Sequence, residues 1–208
     1  MDFINIIIDL VLHLDQHLAQ LISQYGIWTY AILFTVIFCE TGLVVTPFLP
    51  GDSLLFAAGA LSATGALNPH FTYLLLATAS VLGDNTNYTI GRFIGPRAFS
   101  GQYRFLKQEY LTRTQEFYTT YGRRTVIFGR FLPIIRTFAP FVAGVAQMNR
   151  FQYIPFTIIG AMLWVGLFLY AGFFFGNIPF VKHNFALVIM AIILISAVPA
   201  IIEVMRKK

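Results

Sequence analysis

Apolar positions fill this chain in blocks, and the polar positions between them are few enough to be read one by one. Residues 3–22 place Ile4, Ile7, Val11, Leu14, Leu18 and Leu21 on one helical face, with Asp9, His13, Asp15, Gln16, His17 and Gln20 over the rest. That polar face argues against spanning and predicts an amphipathic helix over 1–24 lying in the membrane interface. Its acidic character also lacks the basic start of a secretory signal. His13 and His17 read as solvated residues of the polar face, with a metal site the alternative their spacing leaves. Residues 27–41 predict the first membrane helix, and Trp28 and Tyr30 at its start suit a headgroup belt.

Two later blocks are interrupted. Residues 42–62 carry Pro47, Pro50, Gly51 and Asp52, just after Glu40. Proline removes a backbone donor and breaks helix. A membrane tolerates broken backbone only where protein buries it or it lines a wet cavity. The stretch is too short and too interrupted for a plain span, so it predicts a re-entrant hairpin. Residues 63–70 follow as a loop. Residues 125–148 repeat the pattern with Arg130, Pro133, Arg136 and Pro140, and predict a second re-entrant hairpin. Spanning helices are predicted over 71–91, 151–176 and 185–204, with a short loop at Pro179–Asn184.

Composition agrees with this reading. The 208 residues are 57% hydrophobic and 11% charged, against about 25% charged in an ordinary soluble domain, and mean hydropathy is +0.71. The chain is therefore predicted to be a single all-α integral membrane domain. Its net charge of +5 does not point to nucleic acid, because the cations cluster as positive-inside loops do. Segment 92–124 holds Arg92, Arg97, Arg104, Lys107, Arg113, Arg123 and Arg124 against Glu109 and Glu116. Its interleaved aromatics suit an amphipathic loop on anionic phospholipid headgroups. Cys39, the single cysteine, reads as a small buried residue.

Charge also sets topology. Segment 92–124, Arg150 and the Arg206-Lys207-Lys208 tail should all be cytoplasmic. Arg150 shares a side with 92–124 only if 125–148 enters and leaves on that side. If 42–62 is likewise re-entrant, it opens to the opposite side and the N-terminus is cytoplasmic.

The two interrupted blocks resemble each other. Glu40, Pro47, Pro50-Gly51-Asp52 and Ala58-Gly59 parallel Arg130, Pro133, Arg136, Pro140 and Ala143-Gly144. Opposed hairpins of this kind form an inverted repeat, whose sites lie at the repeat interface. Their charges are complementary. Arg130 and Arg136 present planar forks suited to an anionic group, and Glu40 and Asp52 balance them when the site is empty. Static salt bridges joining the hairpins are the alternative. Asp84, Asn87 and Tyr88 share helical faces and form either a polar helix end or the wall of a cavity.

Three stretches carry a resemblance to a known family: Glu40 to Asp52, Gly83-Asp84 to Gly91-Arg92, and Gly129-Arg130-Phe131 through Arg136 to Ala143-Gly144. In combination they resemble the DedA family of bacterial membrane proteins over about residues 20–205. The resemblance implies a multi-pass protein of the bacterial inner membrane with two opposed re-entrant hairpins. It implies lipid transport, with undecaprenyl phosphate, the polyprenyl phosphate carrier of cell-wall precursors, as the lipid returned across the membrane. It also implies support of envelope integrity, with dependence on the proton gradient in some members. The family's acidic and arginine pairs map onto Glu40, Asp52, Arg130 and Arg136.

The residues point away from an enzyme. His13, His17, His70 and His183 lie apart from both polar motifs, which leaves no nucleophile and base beside the arginines. No metal or cofactor is implied. The competing readings are a proton-coupled cation or drug exchanger and a non-transporting membrane assembly factor.

Overall fold

The computed structural model describes residue 20 and residues 24–43, 51–95 and 108–192. The described residues are helical, with no strand among them. The amphipathic helix expected over 1–24 falls almost wholly outside them, as do Pro47, Pro50, residues 96–107 and the second half of the 185–204 span.

Helix α1 runs over Trp28–Gly42, which matches the bounds expected for the first membrane helix, but its 15 residues fall short of the ~20 that cross a bilayer. Trp28 is 70% exposed, as a headgroup-belt residue should be, and Cys39 is half-buried. Helix α2 covers Gly51–Ala63. Helix α3 covers Pro69–Ile94, 26 residues, or about 39 Å of helix. It starts before residue 71 because the Asn68 side chain accepts from the Phe71 N–H at 3.0 Å, capping a helix with proline in its first turn. It also ends later than predicted, so Arg92 belongs to its last turn rather than to a loop.

Helix α4, Gln108–Tyr121, occupies the latter part of the basic segment. The Tyr118 hydroxyl donates to the Ala139 carbonyl at 2.9 Å, so α4 is fastened to protein as well as polar on its outer side. A single turn, α5 over Thr125–Phe128, leads through a tighter turn at Gly129–Phe131 into α6 over Pro133–Val145. The second broken segment thus breaks at Gly129–Leu132. Pro140 does not break it: it lies inside α6. A proline there forgoes one backbone bond, and the buried surroundings of α6 hold the helix together across it.

Helix α7 spans Arg150–Phe175. With a mean hydropathy of 2.1, it is the one helix among the described residues both long and apolar enough to cross a membrane. α3 equals it in length but carries Asp84, Asn85, Thr86 and Asn87. The loop expected at Pro179–Asn184 is instead a short helix, α8, over Pro179–His183. Pro179 sits in its first turn, where the missing N–H is not needed. Residues 185–192 are helical again.

The outer faces are apolar. Ile158, Ile159, Met162, Leu163, Leu167, Phe174 and Phe175 of α7 are exposed. A continuous apolar stripe of this kind suits lipid better than water. The core beneath it joins α1, α2, α3 and α7 through Leu33, Ile37, Leu55, Leu76, Trp164 and Leu169.

Two helix crossings share one geometry. A Cβ at Gly59 of α2 would fall 1.9 Å from the Leu169 carbonyl oxygen of α7, and one at Gly172 would fall 1.9 Å from that of Phe56. A Cβ at Gly144 of α6 would fall 2.0 Å from the Tyr88 oxygen of α3, and one at Gly91 would fall 2.1 Å from that of Phe141. In each case a Phe-x-x-Gly of the shorter helix locks against a single glycine of a long helix, three residues past the carbonyl it touches. Close approach of this kind needs small residues at both surfaces.

Candidate functional site: a buried two-arginine centre

The site forms where the two broken segments meet. Arg136, on the first turns of α6, is buried. Its Nη2 donates to Glu40 Oε1 of α1 at 2.7 Å, and its Nη1 donates to Asp52 Oδ1 of α2 at 2.7 Å. One guanidinium therefore joins three helices by charge-assisted bonds. Of its two acids Glu40 is sealed, at 1% exposure, whereas Asp52 keeps 13%. Any approach to the pair from outside meets Asp52 first. Gly51 admits the Glu40 carboxylate, for a Cβ there would lie 1.8 Å from Oε2.

Arg130 lies in the turn before α6, and its side chain crosses to α3. Nη2 pairs with Asp84 Oδ2, and Nη1 donates to Ser80 Oγ at 2.7 Å. The Thr157 carbonyl of α7 accepts a longer bond of 3.3 Å from Nη2. The side chain packs against Gly160, where a Cβ would fall 2.8 Å from Nε. The two centres are neighbours: Asn87, three residues on from Asp84 in α3, donates to the carbonyl of Thr137, the residue after Arg136, at 2.8 Å.

Asn87 ties the segments together. Its Nδ2 donates to the Thr41 carbonyl at the end of α1, at 3.2 Å, and to the Thr137 carbonyl of α6, at 2.8 Å. Tyr88 stacks on Tyr153 with ring centroids 4.6 Å apart, and its hydroxyl donates to the Met148 carbonyl. Asp84, Asn87 and Tyr88 are thus buried among α1, α6 and α7 rather than at a helix end. Polar atoms remain for a ligand or water. Glu40 Oε2, Asn87 Oδ1 and the Nε of both Arg130 and Arg136 are buried with no hydrogen-bond partner among the described residues.

Sequence reasoning brought Glu40, Asp52 and Arg136 together, and they meet. It grouped Arg130 with the same acids, whereas Arg130 takes Asp84. It missed Ser80, Thr157 and Trp164. The indole N–H of Trp164 donates to Asp52 Oδ1 at 2.8 Å, and its ring lies 5.0 Å from the Arg136 guanidinium carbon. Gly51 and Pro140 are described; Pro133 opens α6.

The profile of the VTT domain matches residues 49–174. The chain is 52% identical to Protein DedA of Escherichia coli over 211 residues, covering 100% of this chain and 96% of that protein. It is 43% identical over 189 residues to an uncharacterized membrane protein of Mycobacterium tuberculosis, covering 87% of this chain and 82% of that one. It is 34% identical over 157 residues to the inner membrane protein YqjA of Escherichia coli, covering 74% and 71% respectively. No solved structure matches the chain.

Proposed function

Because the chain belongs to the DedA family of VTT-domain membrane proteins, we propose that it is a transporter moving a lipid phosphate across the bacterial inner membrane, with undecaprenyl phosphate as its lipid. The observation that carries this reading is Arg136, buried where the two broken segments meet and held there by Glu40 and Asp52. Arg136 and Arg130 bind the headgroup phosphate through their planar forks. Glu40 and Asp52 balance the charge while the site is empty. The polyprenyl tail remains in the bilayer, so no enclosed cavity of its length is needed. The chemistry is binding and release without bond cleavage, and the protein is not an enzyme. Its cellular role is upkeep of the envelope.

Opposed re-entrant hairpins supply the moving parts. Tyr30, near the start of α1, accepts from the Asn68 N–H just beyond α2 at 2.9 Å. Gly42, at the other end of α1, meets Gly83 of α3. These contacts favour a hairpin made of α1 and α2 together, with Tyr30 and Asn68 at its open end and Gly42 against the middle of α3, so the fold-back takes in α1 and is wider than the 42–62 expected from the sequence. Met148, just past α6, meets Tyr88 near the Arg92 end of α3, which favours a second segment returning to the opposite side. The matched glycine crossings support an inverted repeat. Arg92, Arg124 and Arg150 then mark the cytoplasmic side and the C-terminus is cytoplasmic, whereas Tyr30 beside Asn68 puts the start of α1 at the opposite end of α3 from Arg92, so the cytoplasmic N-terminus expected with 27–41 as a span does not follow.

Charge favours proton coupling. Among the described residues, the carboxylates of Glu40, Asp52 and Asp84 face the guanidiniums of Arg130 and Arg136. An arriving phosphate adds negative charge to a site already richer in acid than base. Uptake of a proton by one carboxylate removes that repulsion. The same excess of acid favours a second reading, a proton-coupled cation or drug exchanger. Purified protein in vesicles separates these, with polyprenyl phosphate, ordinary phospholipid and an organic cation compared with and without a pH gradient. The proposal requires movement of the polyprenyl phosphate, faster with the gradient. Movement of the cation alone establishes the exchanger, and movement of none establishes a non-transporting assembly factor.

A further inference from the structure

Trp164 touches both members of one ion pair. Its edge donates to Asp52 Oδ1 at 2.8 Å, the same oxygen that accepts from Arg136 Nη1 at 2.7 Å. Its face lies 5.0 Å from the Arg136 guanidinium carbon, within the range of a cation–π contact. The side chain is fully buried, and its one N–H is committed to the acid. A tryptophan that only filled space in α7 would need neither contact.

We propose that Trp164 is a positioning residue for the exchange of partners at Arg136: it keeps Asp52 hydrogen-bonded while Arg136 turns from that acid to the lipid phosphate. The inference rests on the transport reading above. The physical problem it addresses is general. A largely buried carboxylate whose arginine turns away loses its charge partner, and this is costly. A second donor already seated on the same oxygen lowers that cost without carrying a charge that competes for the phosphate. The indole face meanwhile gives the guanidinium a surface to slide across as its bonds to Asp52 open. Trp164 therefore affects the step in which the pair parts more than the affinity for the headgroup.

The chain has two tryptophans, and Trp28 is 70% exposed, so Trp28→Phe leaves Trp164 as a single fluorophore at the site. Titrating this variant with polyprenyl phosphate in vesicles should change Trp164 emission, as Arg136 leaves the indole face. Trp164→Phe keeps a ring and loses the N–H. It should lower the maximal transport rate about tenfold with less than a twofold change in the half-saturating lipid concentration. In an Asp52→Asn background, where no charge is left stranded, Trp164→Phe should cost less than twofold further. An equal loss in both backgrounds overturns the proposal in favour of packing. So does emission that ignores the lipid while transport continues. Emission that responds in a protein moving no lipid phosphate overturns the transport reading and the part of Trp164 in it, and leaves lipid binding beside Arg136. No response and no transport overturn both.

Discussion

Arg130 takes Asp84 as its partner, an acid from α3 rather than from the first broken segment. Both side chains are buried, so neither tolerates the loss of the other. Asp84→Ala should destabilise the protein by about 3–5 kcal/mol, the range for stranding one member of a buried pair. Replacing both, as Asp84→Leu with Arg130→Met, should recover much of that stability while still abolishing transport. Thermal unfolding in detergent, read beside a vesicle assay, separates the two effects.

Gly51 meets Glu40 at a distance that leaves no room for a methyl group. Gly51→Ala should push the carboxylate off Arg136, at about 1–3 kcal/mol for the overpacking. Transport should fall at least tenfold. Gly166→Ala is the control, because a Cβ there would meet only the edge of the Tyr73 ring at 3.3 Å. Its transport should stay within about twofold of the parent.

The two matched crossings should fail alike. Gly172→Ala and Gly91→Ala each drive a methyl into a backbone carbonyl, of Phe56 and Phe141 respectively. Backbone yields less readily than a side chain, so each should lower stability by about 1–3 kcal/mol. The two losses should agree within about 1 kcal/mol by thermal unfolding. A large loss at one position with none at the other contradicts the shared geometry.

Asn87 holds the Thr41 and Thr137 carbonyls with one amide nitrogen. Asn87→Leu leaves both buried acceptors without that donor, at about 1–3 kcal/mol for each. Thermal unfolding in detergent should show this loss, since the end of α1 loses its tie to α3.

Much of this was readable in the sequence, for identifiable reasons. Glu40, Asp52 and Arg136 stood out because charges in broken apolar segments have few physical explanations. The helical blocks at 27–41 and 151–176 were plain because their apolar runs are long. The partner of Arg130 was not legible. Asp84 could be placed on a face of α3 by its spacing from Asn87 and Tyr88, but spacing says nothing about which distant side chain arrives there. Trp164 was hidden for a similar reason: in an apolar helix, a tryptophan facing lipid and one facing an ion pair look the same. Pro140 and Pro179 misled because proline signals both a break and a first helical turn. Tertiary burial decided the former, and position at the helix start the latter.

The central claim is that Arg136 binds the headgroup of a lipid phosphate. Its most direct test is translocation of polyprenyl phosphate by purified protein in vesicles, with Arg136→Lys and Arg136→Ala beside the parent and folding checked by gel filtration. The lysine variant keeps the charge and loses the planar fork, so its rate should fall about tenfold or more, and the alanine variant should fall to the protein-free background. Unimpaired translocation by folded Arg136→Ala contradicts the account.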